Sequence, residues 1–466
     1  MLRKTGIKLQ WSIAVALSIC VSSASQVYAA DFTGIGYLTP GDNNSSAVNL
    51  SRDGSAFVGL SWRFFSFDFP DGPQNYATYR RAFIQDAAGK RSLESQPYQA
   101  YFGYDSVYDI APNGGAVFTD RNGSGESFYG QSFGESYQSG PLVWTPNDGF
   151  TPIEAGLYPR VFGGSKEIYA GATRQFVSHG SPPSHAYRHT PQTGNQDLGW
   201  IRPTLGPANP ERTSGSATGI SVDGNVVVGT NSASLSSIVI PLPNDGTITA
   251  NSFFGEEAFR WTPADGMIPL GYLPGTTGSR ANGVSGDGKV VFGSVGNNSI
   301  LTPFGVGPTA FRWTEATGMV AIEALNDSQT VTFNAANFDG SVLVGSSNPV
   351  PTAILDPLTG FITRSSVFAS AVIWDQLHGL RDLQTVLETE YGMDLTDWQL
   401  LSAADISDDG RTIIGTGINP QGNQEGWIVH LNPVAVPEPA AWALCAIGAC
   451  AVAAISRRGK HHVAQN

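Results

Sequence analysis

The chain has 466 residues, of which 55 are Gly and 29 are Pro, with 14% charged and 11% aromatic side chains. That composition excludes a disordered or mainly helical protein and suits many short strands joined by frequent turns. The formal net charge of −13 disfavours nucleic acid and anionic membranes as partners, because phosphate binding depends on basic patches.

At the N-terminus, Arg3, Lys4 and Lys8 precede an apolar segment from Trp11 to Val21 and a polar run ending in Val27-Tyr28-Ala29. This is the pattern of a secretory signal over residues 1–29, with cleavage after Ala29 or Ala30. The alternative, an uncleaved anchor, needs a longer apolar run of roughly 17 to 25 residues. The mature chain then begins with Asp31 to Leu38, in which Gly36-Tyr37-Leu38 matches Gly271-Tyr272-Leu273 further on.

From residue 30 to 433 one frame recurs: Ser, any residue, Asp, Gly, four mostly apolar residues, Gly. It starts at Ser51, Ser221, Ser285 and Ser407, with Asn337 replacing Ser in a fifth copy. Asn113-Gly114 and Ser165-Lys166 mark two degenerate copies, so phase positions 53, 113, 165, 223, 287, 339 and 409 give seven units. An aromatic strand alternates with this turn, also seven times, beginning at Ala82, Pro141, Ala186, Ala258, Ala310, Ala371 and Gly426. Glu257 to Gly293 displays the pattern most clearly and reads as four short strands in one antiparallel sheet, because Asp-Gly is a strong hairpin signal. One segment is helical: between about 380 and 401, Leu383, Val386, Leu387 and Tyr391 fall at helical spacing before Gly392. It reads as a helix that packs its apolar face on the ring edge.

The C-terminus, residues 434–466, contains Pro437-Glu438-Pro439, the apolar run Ala440 to Ile455, and Arg457, Arg458 and Lys460. As a helix the apolar run rises about 24 Å, short of a hydrocarbon core of about 30 Å. Order, spacing and terminal placement resemble the sorting signal of PEP-CTERM proteins of Gram-negative bacteria. The resemblance implies export by the Sec machinery, recognition of Pro437, Glu438, Pro439, Arg457 and Arg458 by an exosortase, and release to the cell surface or extracellular matrix. A plain membrane anchor is the alternative. Cys20 lies in the signal and Cys445 and Cys450 in the tail, so the mature body has no disulfide framework and no thiolate metal site. Trimming both ends takes 26 cations to 20 against 39 acids if Glu438 is kept, a net of about −19 that favours solubility outside the cell.

The repeats are similar to the HAF family of extracellular repeats, through the AFRW segments at Ala258 and Ala310, GYL at Gly271 and the turn at Ser285. That family implies export and no agreed activity. A four-stranded sheet cannot bury both faces alone, whereas radial repetition can. The expected fold is therefore all-β, a seven-bladed β-propeller whose N-terminal strand completes the last blade; an open β-solenoid is the alternative.

The long connections all fall between the closing Gly and the aromatic strand, so they gather on one rim, opposite the Asp-Gly turns. Such a face often binds. Trp62, Phe64, Tyr76, Tyr79, Phe128 and Tyr129 lie there beside Asp, Asn and Gln, and aromatic rings in that setting stack on sugars, which points to an exopolysaccharide. The competing account makes Phe64 to Phe69 a strand with its own apolar cover. The repeated aspartates Asp53, Asp223, Asp287, Asp339 and Asp409 read as turn residues that tolerate positive φ, and Trp144, Trp261, Trp313 and Trp374 as core packing. His179, His185 and His189 cluster in sequence, and a plain loop explains them better than a metal site. No HExxH, P-loop or EF-hand pattern is present. No catalytic residue and no cofactor is named; the reading favours a binding or structural role in floc or biofilm, with a secreted polysaccharide hydrolase or lyase as the alternative.

Overall fold

The computed structural model describes residues 30–431 except 68–74, 94–103, 113, 123–126, 129–130, 133–139, 155, 174–183, 205–211, 235–237, 242–246, 251–252, 297–308, 327–328, 350–352, 356–361 and 365–368. The expected signal and sorting segments lie outside the described residues.

The chain opens with β1 (Asp31–Gly34). Blade 1 is β2 (Asn44–Leu50), β3 (Phe57–Phe67), β4 (Asn75–Asp86) and β5 (Gly89–Ser92). Blade 2 starts with β6 (Tyr104–Ile110) and β7 (Val117–Asn122), carries a small hairpin of β8 (Ser127–Phe128) and β9 (Gln131–Ser132), and ends with β10 (Gly140–Thr145) and β11 (Gly149–Pro152). Blade 3 is β12 (Leu157–Phe162), β13 (Tyr169–Thr173), β14 (Ala186–Thr190) and β15 (Gly194–Gly199). Blade 4 has β16 (Arg212–Ile220), β17 (Val227–Ser234), a hairpin of β18 (Ile238–Pro241) and β19 (Thr247–Ala250), then β20 (Phe253–Thr262) and β21 (Gly266–Pro269). Blade 5 is β22 (Gly278–Val284), β23 (Val290–Gly296), β24 (Thr309–Thr314) and β25 (Gly318–Ile322). Blade 6 has β26 (Gln329–Ala336), β27 (Val342–Pro349), a hairpin of β28 (Ala353–Leu355) and β29 (Ile362–Arg364), then β30 (Ser370–Asp375) and β31 (Gly379–Asp382). After α1 (Leu383–Thr389), blade 7 supplies β32 (Gln399–Ile406), β33 (Thr412–Ile418) and β34 (Gln424–His430).

Seven four-stranded antiparallel sheets result, and the seventh is completed by β1 at its outer edge. The innermost strands β2, β6, β12, β16, β22, β26 and β32 touch one another in a closed cycle. The fold is therefore a seven-bladed β-propeller, a ring and not an open solenoid. At the seam, Asp31 pairs with His430 and Gly34 with Trp427, and Ile35 N–H donates to Gly426 O at 2.9 Å. Phe32 lies edge-on to Trp398 at 5.2 Å and over Trp427 at 6.0 Å. Thus four residues of strand and one aromatic cluster close the ring without a disulfide. The closing strand is DFTG, the first part of the expected Asp31 to Leu38 run; Gly36-Tyr37-Leu38 forms the connection into blade 1.

The same shift corrects the reading of Glu257 to Gly293. Its four strands are not one sheet: β20 and β21 finish blade 4, and β22 and β23 begin blade 5. Gly271-Tyr272-Leu273 is the loop between blades, with Gly271 at φ +82°.

A β-bulge breaks the register of all seven innermost strands at one phase, between Ala47 and Asn49, Val107 and Asp109, Pro159 and Val161, Ala217 and Gly219, Ala281 and Gly283, Phe333 and Ala335, and Ala403 and Asp405. A bulge turns the extra side chain sideways and sharpens the twist. Three such side chains lace adjacent blades: Thr218 Oγ1 donates to Ala281 O at 2.7 Å, Asn282 Nδ2 to Phe333 O at 3.0 Å, and Asn334 Nδ2 to Ala403 O at 2.8 Å. The bulge also explains the closing Gly of the frame. A Cβ at Gly229 or Gly293 would run into the carbonyl of Ser216 or Arg280 and the ring of Phe259 or Phe311. In blade 2 Thr119 takes this place, opposite Leu142 instead of an aromatic ring.

The helix is shorter than the 380–401 expected from spacing. Asp382 caps it by accepting Thr385 N–H at 2.9 Å, a standard N-cap interaction. Leu383, Val386 and Leu387 are buried against β30, β31 and β32, and Tyr391 falls beyond its end. The apolar face therefore packs at the edge of the ring.

Candidate functional site

The repeated AFRW segment sets the interblade geometry. Alternation on a strand places Phe259 and Trp261 on one face of blade 4 and Arg260 on the other. Each Arg then meets the Trp of the next blade: Arg188 lies 4.5 Å from the Trp261 ring, Arg260 5.8 Å from Trp313, and Arg312 5.6 Å from Trp374. Where Ile84 replaces Arg, it joins Trp144 in an apolar cluster instead. Trp144 and Trp261 are buried.

The Asp-Gly turns form one rim, and their geometry corrects the reason given for the aspartates. The positive φ belongs to Gly54, Gly224, Gly288, Gly340 and Gly410; the aspartate is used for its carboxylate. In blade 1, Ser51 Oγ donates to Asp53 Oδ1 at 2.7 Å and accepts Ala56 N–H at 2.9 Å, while Asp53 Oδ1 also accepts Ser55 N–H at 3.0 Å. Ser221, Ser285 and Ser407 repeat this arrangement, and Asn337 Oδ1 takes over by accepting Val342 N–H. Burial alone would raise Asp53, Asp223 and Asp287, but the hydrogen bonds from Ser and backbone outweigh it and hold all three below the usual carboxylate range.

The residue before each Asp turns toward the axis. Backbone hydrogen bonds run from Gly164 to Val222, Val222 to Gly286, Asp287 to Phe338, Phe338 to Asp408 and Asp408 to Arg52, linking the turns of blades 3, 4, 5, 6, 7 and 1. Arg52 reaches Asp408 Oδ1 at 3.2 Å and, across the ring, Ile220 O at 3.4 Å. It thereby lies over the axis at this end. Beneath it are two carboxylates that sequence reading missed. Asp109 accepts Phe162 N–H at 2.6 Å and Ile110 N–H at 2.8 Å, and Asn49 Nδ2 lies 3.2 Å away. Asp405 accepts Leu50 N–H and Ile406 N–H, both at 2.8 Å. Both are half-buried by area yet enclosed by inner strands. Desolvation pushes Asp109 up to about 7 and Asp405 up to about 6.

On the opposite rim, the connection from Leu60 to Arg81 is an extended hairpin. β3 and β4 stay paired from Phe57 and Gln85 out to Phe67 and Asn75. Trp62 on it is buried beneath Arg80, whose guanidinium is 5.3 Å from the ring. The backbones of Phe64, Tyr76 and Tyr79 are strand, with Phe64 opposite Thr78, Tyr76 opposite Ser66 and Tyr79 opposite Arg63. Phe128 belongs to the small hairpin of blade 2, opposite Gln131, so that four of the six residues share one hairpin and Phe128 sits on the next blade. Tyr129 lies outside the described residues, as do Pro437, Glu438, Pro439, Arg457 and Arg458.

The two described histidines of the group take different partners. His185 Nδ1 is 2.9 Å from Asp197 Oδ2, and His189 stacks on Tyr169 at 4.6 Å; His179 lies outside the described residues. Among the described residues no three His, Cys, Asp or Glu side chains are grouped to hold a metal ion. No described helix is long and apolar enough to cross a membrane.

A cleft of about 550 Å³ opens between the outer strands of blades 5 and 6, where radiating sheets diverge; Arg312, Val320, Ile322, Leu325, Trp374 and Leu380 are among its lining residues. Burial lowers the Arg312 pKa, with the Asp339 charge opposing the shift.

No protein-family model matches the chain, and no curated protein is similar to it. Among solved structures it is similar to the β-propeller domain of the Trilobed protease from Pyrococcus furiosus, at 10% identity over 85% of this chain and 98% of that one, with a TM-score of 0.44. The Dos1 propeller is 9% identical over 85% of this chain and 94% of its own, with a TM-score of 0.37. An ancestral GH74 enzyme is 8% identical over 84% of this chain and 73% of its own, with a TM-score of 0.24. The sheet topology defines the class, a seven-bladed propeller with a two-ended seam.

Proposed function

We propose that the chain is an exported surface or extracellular-matrix protein, an exosortase substrate whose propeller binds or organises exopolysaccharide without catalysis. The observation that carries the reading is an export pattern at both ends of a body whose repeated carboxylates are committed to its turns. Each serine-aspartate pair satisfies hydrogen bonds within its own turn, which is a structural use and leaves no repeated acid poised for general acid–base work. The paired β3–β4 hairpin and the neighbouring small hairpin gather aromatic residues on the opposite rim, where a glycan is the preferred ligand.

Expression of the full gene in a host with an exosortase tests the address. Wild-type chain should appear at the surface or in the medium with its C-terminal segment missing, and Pro437→Ala with Arg457→Ala and Arg458→Ala should stay in the inner membrane. Intact tails on exported chain would overturn the sorting assignment. Sedimentation of the purified chain with the host's own exopolysaccharide tests the binding role. Retention that falls on Tyr79→Ala and Phe64→Ala supports it, and depolymerisation of the polysaccharide would move the reading to a hydrolase or lyase.

A further inference from the structure

Arg312 differs from its counterpart two blades earlier. Arg188 donates through Nε to Gln196 at 2.9 Å and through Nη1 to Gly224 O at 2.6 Å. Arg312 Nε is buried with no hydrogen-bond partner, and its guanidinium rests on Trp374. A guanidinium offers five donors in a planar fork that matches a carboxylate; here the side chain lines the cleft. The walls are mostly aliphatic, with Thr317, Glu323 and Gln376 as their polar members. Among the described residues the exposed large apolar side chains are Val320, Leu325, Phe338 and Leu377. Val320 and Leu325 line this cleft, and Leu377 follows the lining residue Gln376. Single exposed aliphatic residues are ordinary, but a group around a cation marks an interaction site.

We infer that the cleft between blades 5 and 6 docks a short linear segment of a partner protein, in which an aliphatic side chain flanks a carboxylate. The carboxylate pairs with the Arg312 fork, and the aliphatic group covers Val320 and Leu325. Charge decides against an acidic polysaccharide here: Arg312 is the one cation of the cleft's lining, Glu323 lines it too, and the chain's net charge is −13, which repels a polyanion but leaves a partner for a single carboxylate. Aliphatic walls, in place of exposed aromatic platforms, point the same way. This site stands apart from the polysaccharide rim, so failure of either leaves the other intact.

An array of hexapeptides tests it, with Leu, Ile or Val placed at each spacing from Asp, Glu or a free C-terminus and probed with the purified full chain. The best peptide, labelled and titrated by fluorescence anisotropy, should bind wild type and lose at least tenfold in affinity with Arg312→Gln. Val320→Asp, a change at an exposed position, should weaken it equally while the melting temperature holds. Arg260→Gln, at the neighbouring wedge, should leave binding unchanged. Three results overturn the inference: no acidic–aliphatic peptide exceeds its amide or neutral control, binding survives both cleft variants, or an oligoglucuronate binds more tightly than every peptide.

Discussion

Two sets of aspartates lie at the same end of the ring and behave in opposite ways. Asp53, Asp223 and Asp287 sit at turn tips, where serine hydroxyls and backbone N–H groups donate to carboxylates that water also reaches. Asp109 and Asp405 sit only a few residues back along inner strands, each holding two backbone N–H groups in a far drier setting. Hydrogen bonds win in the first set and desolvation wins in the second. Position within the repeat, rather than residue type, thus decides whether a carboxylate is an ordinary anion or a group that titrates near neutrality.

The largest break in this comparison should come from Asp405→Ala. It strips the acceptor from Leu50 N–H and Ile406 N–H between blades 7 and 1, and unsatisfied buried donors cost roughly 1–3 kcal/mol each. A loss of about 2–4 kcal/mol in urea denaturation is expected; an unchanged midpoint would show that water replaces the carboxylate. Next comes pH. Unfolded carboxyls titrate near about 4, while Asp109 and Asp405 are raised to about 7 and about 6 in the fold. The folded chain therefore holds protons that the unfolded chain has released, and stability falls as pH rises through that window. The melting temperature should climb between pH 7 and 5, and the Asp109→Asn, Asp405→Asn double variant should flatten that arm.

Ser285→Ala should cost about 1–2 kcal/mol, because the buried hydroxyl serves both Val290 N–H and Asp287. The smallest effect belongs to Asp53→Asn, which keeps an oxygen for Ser55 N–H. Its cost at neutral pH should stay below about 1 kcal/mol. The depressed turn carboxylates contribute stability above their unfolded pKa and lose it as pH falls through the folded one, so this variant should also blunt the loss below about pH 4. A steeper acid limb would contradict the turn assignment.

The number of blades and the sealing role of the N-terminus were legible because two markers, an Asp-Gly turn and an aromatic strand, alternate seven times. Which strands share a sheet was not. The connection from Leu270 to Thr277 resembles a hairpin loop in length, and its GYL resembles a strand, so the sequence pattern does not distinguish a turn within a blade from a step between blades. Arg312 was visible in AFRW, but its partner Trp374 lies 62 positions on by residue number, and nothing local links them. Asp109 and Asp405 follow the bulges, which shift register without a fixed residue signature. The β3–β4 hairpin was legible only in the competing account of Phe64 to Phe69 as a strand, because Leu60 to Arg81 exceeds the usual strand length of about 5 to 6 residues.

The seam also has a mechanical side. Asp31 and His430 are directly paired, so the two ends of the propeller leave it at one point of one strand pair. Force applied between them would peel β1 from β34 one hydrogen-bonded pair at a time, as a zipper opens, instead of shearing all its bonds at once. The same arrangement orders assembly. Because β1 is made first and β34 last, the ring stays open until nearly the whole body is available, and its closing contact carries the full entropic cost of joining distant ends. A chain interrupted before Gln424 would hold six formed blades and no latch.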